Sequence, residues 1–179
     1  MSEPQTYKER QRKYKLPIQY ALFKGVKGNF GALRLTLKKA YQDERRDRDD
    51  GVIFLEMAPA IGPNNYDWEN GKIIMALSVS DIPKIILYLR AYNHDIFQGE
   101  KADGKLKLYH DRGAGTSTRG QHTTSLTVHK PKGKDSFFFS MSENKEGQRK
   151  EASIPVSPDE AIAIGTLLQT AIPLILAWN

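Results

Sequence analysis

The chain of 179 residues contains no cysteine. That absence removes disulfide frameworks, thiolate nucleophiles and cysteine-ligated zinc together, leaving only histidine or hard-oxygen sites conceivable for a metal. Long apolar runs are missing too. Nothing approaches the roughly 18 consecutive apolar residues of a membrane-spanning helix, so no membrane partner is expected. The opening MSEPQTYKERQRKYK has neither the apolar core of a signal peptide nor the Ser-rich, acid-poor character of a transit peptide. The expectation is a soluble, intracellular chain, cytoplasmic or nucleoid-associated, with the mature form of an organellar protein as the alternative, since a removed presequence leaves no trace. Motifs for hydrolysis are also absent, with no HExxH helix and no GxSxG elbow. His94-Asp95 and His110-Asp111 are sequence neighbours, which rarely point together, and read as surface pairs. Segment 112–120 (RGAGTSTRG) lacks the GK[ST] ending of a phosphate loop and precedes a strand, so it reads as a flexible loop. No catalysis, metal or cofactor is expected.

What is present is positive charge. Lys and Arg number 27 against 21 Asp and Glu, a net +6 that favours a polyanionic partner without identifying one. The length suits one domain. Residues 1–15, with Lys8, Arg10, Arg12, Lys13 and Lys15 and no apolar periodicity, read as a flexible basic arm, and residues 16–179 as the domain.

Period-two patterning begins at Pro17, ahead of a first strand, and in 30–38 Leu33, Leu35 and Leu37 alternate with Phe30, Ala32, Arg34, Thr36 and Lys38, which describes a half-buried strand with a basic, partly aromatic outer face. The run 43–50 (DERRDRDD) cannot be buried and predicts a loop. Segment 58–71 (APAIGPNNYDWENG) predicts an irregular connection between strands at 52–57 and 72–78. Ser80 is expected to cap a helix in which Ile82, Ile85, Ile86 and Leu89 recur at helical spacing. Short strands at 105–110, 123–129, 136–142 and 151–156 read as antiparallel hairpins. Ser157-Pro158-Asp159-Glu160 then opens a last helix with a Ser cap, Pro at the first position and Glu at the third, the capping-box arrangement. MALSVSD (75–81) matches SIPVSPD (153–159), so the order ββββα occurs twice and the expected class is α+β.

On the last helix Ala161, Ile164, Leu168 and Ile175 form one stripe, yet Ile162, Leu167, Ile172, Leu174 and Trp178 occupy the rest. A helix apolar on all sides needs cover on all sides. A homo-oligomer contact is therefore expected at Leu168, Ile172, Leu174, Ile175 and Trp178.

Three stretches resemble one family. Ala58-Pro59-Ala60-Ile61-Gly62, with Tyr66-Asp67-Trp68 and Ala76-Leu77-Ser78, is similar to the central segment of the Whirly family of single-stranded DNA-binding proteins. Ile172-Pro173-Leu174-Ile175-Leu176-Ala177-Trp178 is similar to its C-terminal helix, and Lys27-Gly28 with Ala32-Leu33 to its lysine-glycine strand motif. The resemblance implies two antiparallel four-stranded β-sheets packed crosswise with two helices. It also implies a fourfold tetramer, helices at the centre, with single strands held between the radiating strands of neighbouring subunits. Where the family carries a second lysine after the glycine this chain has Asn29, so the assembly of tetramers into larger particles is not carried over.

Unpaired bases stack on aromatic rings while phosphates need cations, and neither contact reads sequence strongly. The candidate nucleic-acid contacts are Lys24, Lys27, Phe30, Arg34 and Lys38 around the first strand face, Phe138 alternating with Ser136, Ser140 and Ser142, Tyr66 and Trp68 in their loop, and Arg112 and Arg119 in the glycine-rich segment. Phe30 and Phe138 read equally well as core residues, and Tyr66 and Trp68 as a packed loop corner. Asp67 would repel phosphate and is expected to hold its loop through backbone N–H groups. The expected function is largely sequence-independent binding of single-stranded DNA, protecting or organising exposed strands in replication, repair, recombination or transcription. RNA is the alternative ligand, and a protein-interaction module without nucleic-acid binding is the alternative of another class.

Overall fold

The computed structural model describes residues 18–25, 30–38, 41–43, 46–49, 51–93, 104–113 and 120–176. The expected basic arm, Lys27, Arg119, Trp178 and the His94-Asp95 pair lie outside them. In chain order the elements are β1 (Ile18–Phe23), β2 (Gly31–Lys38), β3 (Tyr41–Asp43), β4 (Arg46–Asp49), β5 (Val52–Gly62), β6 (Asn65–Tyr66), β7 (Ile73–Leu77), α1 (Ile82–Asn93), β8 (Leu106–Asp111), β9 (His122–His129), β10 (Phe137–Lys145), β11 (Gln148–Val156) and α2 (Pro158–Ile175). The first sheet runs β1-β2-β5-β7, with the two-residue β6 paired to the end of β5. The second runs β11-β10-β9-β8, and every pairing in both is antiparallel. Among the described residues this is the expected α+β class, with two main sheets of four strands and two helices.

Period-two patterning selects the inner faces. Leu35 pairs Leu55, which pairs Met75, and Leu33 pairs Met57, so one face of the first sheet is a continuous apolar layer. Phe139 pairs Val128 on one side and Ile154 on the other, giving the second sheet its matching layer. Ile82, Ile85 and Leu89 of α1 and Ile164, Leu168 and Ile175 of α2 join the same core. Burying each such side chain contributes about 1.5–3 kcal/mol. The sheets meet at Gly31, where a Cβ would come within 2.5 Å of the Ala58 carbonyl oxygen and 3.3 Å of that of Ser153. The severe clash is with β5 of the same sheet, so glycine is required by the close β2–β5 approach at this point, with β11 in tight contact beside it.

Each helix is led in by a serine bonded to an acid three residues on, but the capping box is complete only at Ser157. Ser157 caps α2: its Oγ accepts from Glu160 N–H at 3.4 Å and its N–H donates to Glu160 Oε2 at 2.8 Å. In the turn ahead of α1 the Ser78 carbonyl accepts the N–H groups of Asp81 and Ile82, while Ser78 N–H and Oγ both donate to Asp81 Oδ2, at 3.0 and 2.7 Å. Ser80 Oγ shares a hydrogen bond with Ser78 Oγ and so is turned toward that serine instead of capping α1, which starts at Ile82 with the Asp81 carbonyl accepting Ile85 N–H. The repeat aligns Ser78-Val79-Ser80-Asp81 with Ser157-Pro158-Asp159-Glu160, a register one residue away from that suggested by the heptapeptides.

Two connections differ from expectation. The charge run 43–50 is no loop over its described part, because β3 and β4 pair as an antiparallel two-stranded ribbon. An antiparallel pair can keep a face in water, so strand pairing is compatible with a run of charges. Segment 58–62 continues β5 instead of leaving the sheet. Proline is tolerated at position 59 because Ala60 N–H turns to Phe30 on the β2 side, so the N–H that Pro59 lacks would face the other edge, where β7 has already ended. Among the described residues no helix is long and apolar enough to cross a membrane.

Candidate nucleic-acid interface

The outer face of the first sheet is organised around a buried carboxylate, Glu56. Register places Arg34 directly opposite it on β2, and Arg34 Nε donates to Glu56 Oε2 at 2.6 Å. Thr36 Oγ1 donates to the same oxygen at 3.5 Å, and Lys72 Nζ stands 3.7 Å from Oε1. The hydrogen bond to Glu56, opposed by burial, raises the Arg34 pKa above its already high value. The Arg34 guanidinium carbon lies 4.7 Å from the centroid of the Trp68 ring, within cation–π range. Arg34 is thus a clamp between a carboxylate and an indole, not the free surface cation its strand position suggests.

The loop carrying Trp68 is tied down by Asp67, whose Oδ1 accepts Asn70 N–H at 2.8 Å, the backbone role expected for it. Asp67 N–H donates to the Pro59 carbonyl, and a Cβ on Gly71 would come within 2.8 Å of the Pro59 ring. The loop therefore wraps Pro59. Pro59 also borders a hollow of about 450 Å³ on the second sheet, walled by Ser125, Thr127, Ser140, Ser142 and Ser153, with Arg149 and Glu151 at its margin. Cross-strand register brings these hydroxyls together: Ser140 meets Ser153 and Ser125 meets Ser142, each pair at 2.8 Å. Above them Phe138 stacks on His129 with centroids 5.6 Å apart. Burial, then the Lys105 charge, push the His129 pKa down, so the partner ring is uncharged at neutral pH. Sequence reasoning reached Phe138, Ser140 and Ser142 but missed Ser125, Thr127, Ser153, Glu56 and Lys72. The alternation of hydroxyls in 123–129 was a visible signal, whereas sharing one hollow depends on register.

The other candidates are dispersed. Lys24 Nζ is paired with Glu160 Oε1 at 2.7 Å. Tyr66 packs on Phe23, centroids 5.5 Å apart. Phe30 is half-buried beside Gly31, Lys38 is exposed at the opposite end of β2, and Arg112 reaches the Ile74 carbonyl at 3.5 Å. Of the expected subunit contacts, Leu168 and Ile175 are 1% and 0% exposed and fill the subunit's own core, since their stripe faces the sheets. Leu174 and Leu167 line a small apolar cleft of about 110 Å³ with Tyr20, Leu35 and Leu37, and Ile172 is partly buried. The apolar residues that α2 leaves to solvent are Ile162 at 59% and Leu167 at 40%. His110 is no surface pair with Asp111: its Nε2 lies 3.1 Å from Asp81 Oδ2, while Asp111 accepts Gly113 and Gly120 N–H groups and ties the two ends of its loop. Among the described residues no group of three or more His, Asp or Glu is placed to hold a metal.

Known proteins share this fold. The single-stranded DNA-binding protein WHY1 (chloroplastic) of Solanum tuberosum is 29% identical over 132 residues, covering 73% of this chain and 43% of the relative. The single-stranded DNA-binding protein WHY2 (mitochondrial) of Arabidopsis thaliana is 28% identical over 131 residues, covering 72% and 50%. The chain thus spans about half the length of the curated relatives it matches. Among solved structures, WHY1 from Arabidopsis thaliana superposes with a TM-score of 0.72 at 20% identity, over 92% of this chain and 88% of that one. A guide-RNA-binding protein complex bound to its guide RNA has a TM-score of 0.57 at 13% identity, over 94% and 99%. The model of the Whirly transcription factor family matches residues 28–167, well over half of the sequence, and the chain belongs to the Whirly family.

Proposed function

We propose that this chain binds single-stranded DNA with little sequence preference and without catalysis, as a homo-oligomer. The observation that carries the reading is the joining of two unlike surfaces at Pro59: a hydroxyl-walled hollow on one sheet and an indole stacked on Arg34 on the other. Hydroxyls donate and accept, so they suit any base edge, while an aromatic face stacks any base and nearby cations hold phosphate. The names of the relatives, both single-stranded DNA-binding proteins, support the same ligand, and their chloroplast and mitochondrial settings favour an organellar one here. Exposed Ile162 and Leu167 support subunit contact through α2, with a tetramer as the proposed state. Gel shifts with single-stranded and duplex oligomers of one sequence test the reading, with matched RNA as a third arm. Binding of the DNA single strand in preference to both others is expected. Equal or tighter binding of RNA would transfer the reading to RNA, and no binding of any of the three at physiological salt would sink it.

A further inference from the structure

The outer face of the first sheet carries more positive charge than its buried carboxylate neutralises. Glu56 faces both Arg34 and Lys72, one carboxylate against two cations. The two contacts are unequal. At 2.6 Å the Arg34 bond is a short, charge-assisted hydrogen bond, whereas 3.7 Å from Lys72 is beyond hydrogen-bond range. Arg34 is also held against the Trp68 ring. Turning Arg34 toward a phosphate would break its ion pair, its hydrogen bond and its stack together, while turning Lys72 outward loses an ion pair that has no hydrogen bond in it. The two side chains are equally exposed, so access does not distinguish them, and their attachments do.

We infer that Lys72, and not Arg34, is the phosphate contact beside Trp68, and that Glu56 acts through Arg34 as a positioning residue for the indole. The inference rests on the single-strand reading above and refines its ligand to one nucleotide unit, with the base on Trp68 and the phosphate on Lys72. Two measurements separate the roles. The salt dependence of affinity counts neutralised phosphates, at about 0.7 in log–log slope for each on a single strand. Tryptophan emission of the free protein reports the surroundings of the ring.

The test uses the whole chain and a single-stranded oligothymidine. Lys72→Gln should make the slope shallower by about 0.7 and leave the emission of the free protein unchanged. Arg34→Gln should leave the slope as in wild type and shift the emission, and that shift should be absent in a Trp68→Phe background. Should thermal melting show Arg34→Gln unfolded, the double variant Arg34→Gln, Glu56→Gln removes anion with cation and carries the same expectation for the slope. A wild-type slope in Lys72→Gln, or a slope shallower by about 0.7 when Arg34 is removed, overturns the inference while leaving single-strand binding intact. A wild-type protein that does not bind the oligomer overturns both.

Discussion

The two ββββα halves are alike where they start their helices and unlike on their outer faces. Each helix begins with a serine and an acidic residue three positions on, and in each the acid is held by the first strand of the other half: Asp81 by His110 of β8, and Glu160 by Lys24 at the end of β1. The reciprocity is not complete, since the first contact is an ion pair only when His110 is protonated. The outer faces have diverged, to a charged cluster under Trp68 on the first sheet and an array of hydroxyls on the second. The shared features keep the halves together, and the divergent ones face the solvent where a ligand would lie.

The largest effects should come from the shared interior. Leu89→Ala on α1 and Leu168→Ala on α2 should each lower unfolding free energy by about 2–5 kcal/mol in denaturant titrations, because both side chains are buried in the common core. Leu167→Glu, one residue away, should leave subunit melting nearly unchanged but lower the mass seen by light scattering. Loss of folding there, with the mass of the folded fraction unchanged, would place Leu167 in the core.

The divergent faces should differ in binding. Trp68→Ala should weaken single-strand binding by about 1–3 kcal/mol if one base stacks on the indole. Ser140→Ala and Ser142→Ala should each weaken it by about 0.5–1.5 kcal/mol, the worth of one hydrogen bond. Titration by fluorescence anisotropy ranks them, and a hydroxyl variant worse than Trp68→Ala would make the hollow the primary site.

Smaller effects should sharpen the likeness of the helix starts. Ser157→Ala should destabilise by about 1 kcal/mol through loss of the cap, and Ser78→Ala by about 1 kcal/mol through loss of its hydroxyl bond to Asp81. The acid pair also predicts a pH dependence. Burial pushes the carboxyls of Asp81 and Glu160 up, but hydrogen bonds from Ser78 to Asp81, and from Lys24 and Ser157 to Glu160, outweigh it and hold both below their ordinary values. A folded pKa below the unfolded one means stability that is complete above the ordinary carboxyl range and lost as pH falls through the folded values. Melting temperature should therefore drop below about pH 4, and less steeply in Ser78→Ala.

By itself the sequence determined what local chemistry can determine. The capping box at Ser157, the alternation from Leu33 to Leu37, and the stripe of Ile82, Ile85, Ile86 and Leu89 are each set by neighbours within a turn or a strand, so residue spacing was enough to read them. Even the two-residue turn closing β10 and β11 is local, with Glu146 and Gly147 both at positive φ, though Glu146 is an unusual choice for that conformation. Tertiary structure alone decided which residues share a surface. Glu56 was one acid in an apolar strand until antiparallel register set Arg34 opposite it and β7 brought Lys72 alongside. Leu168 and Leu167 are equally apolar in sequence, and only the direction of the packed helix puts one in the core and the other in water. Register and packing join residues tens of positions apart, and no spacing rule within one element encodes that distance.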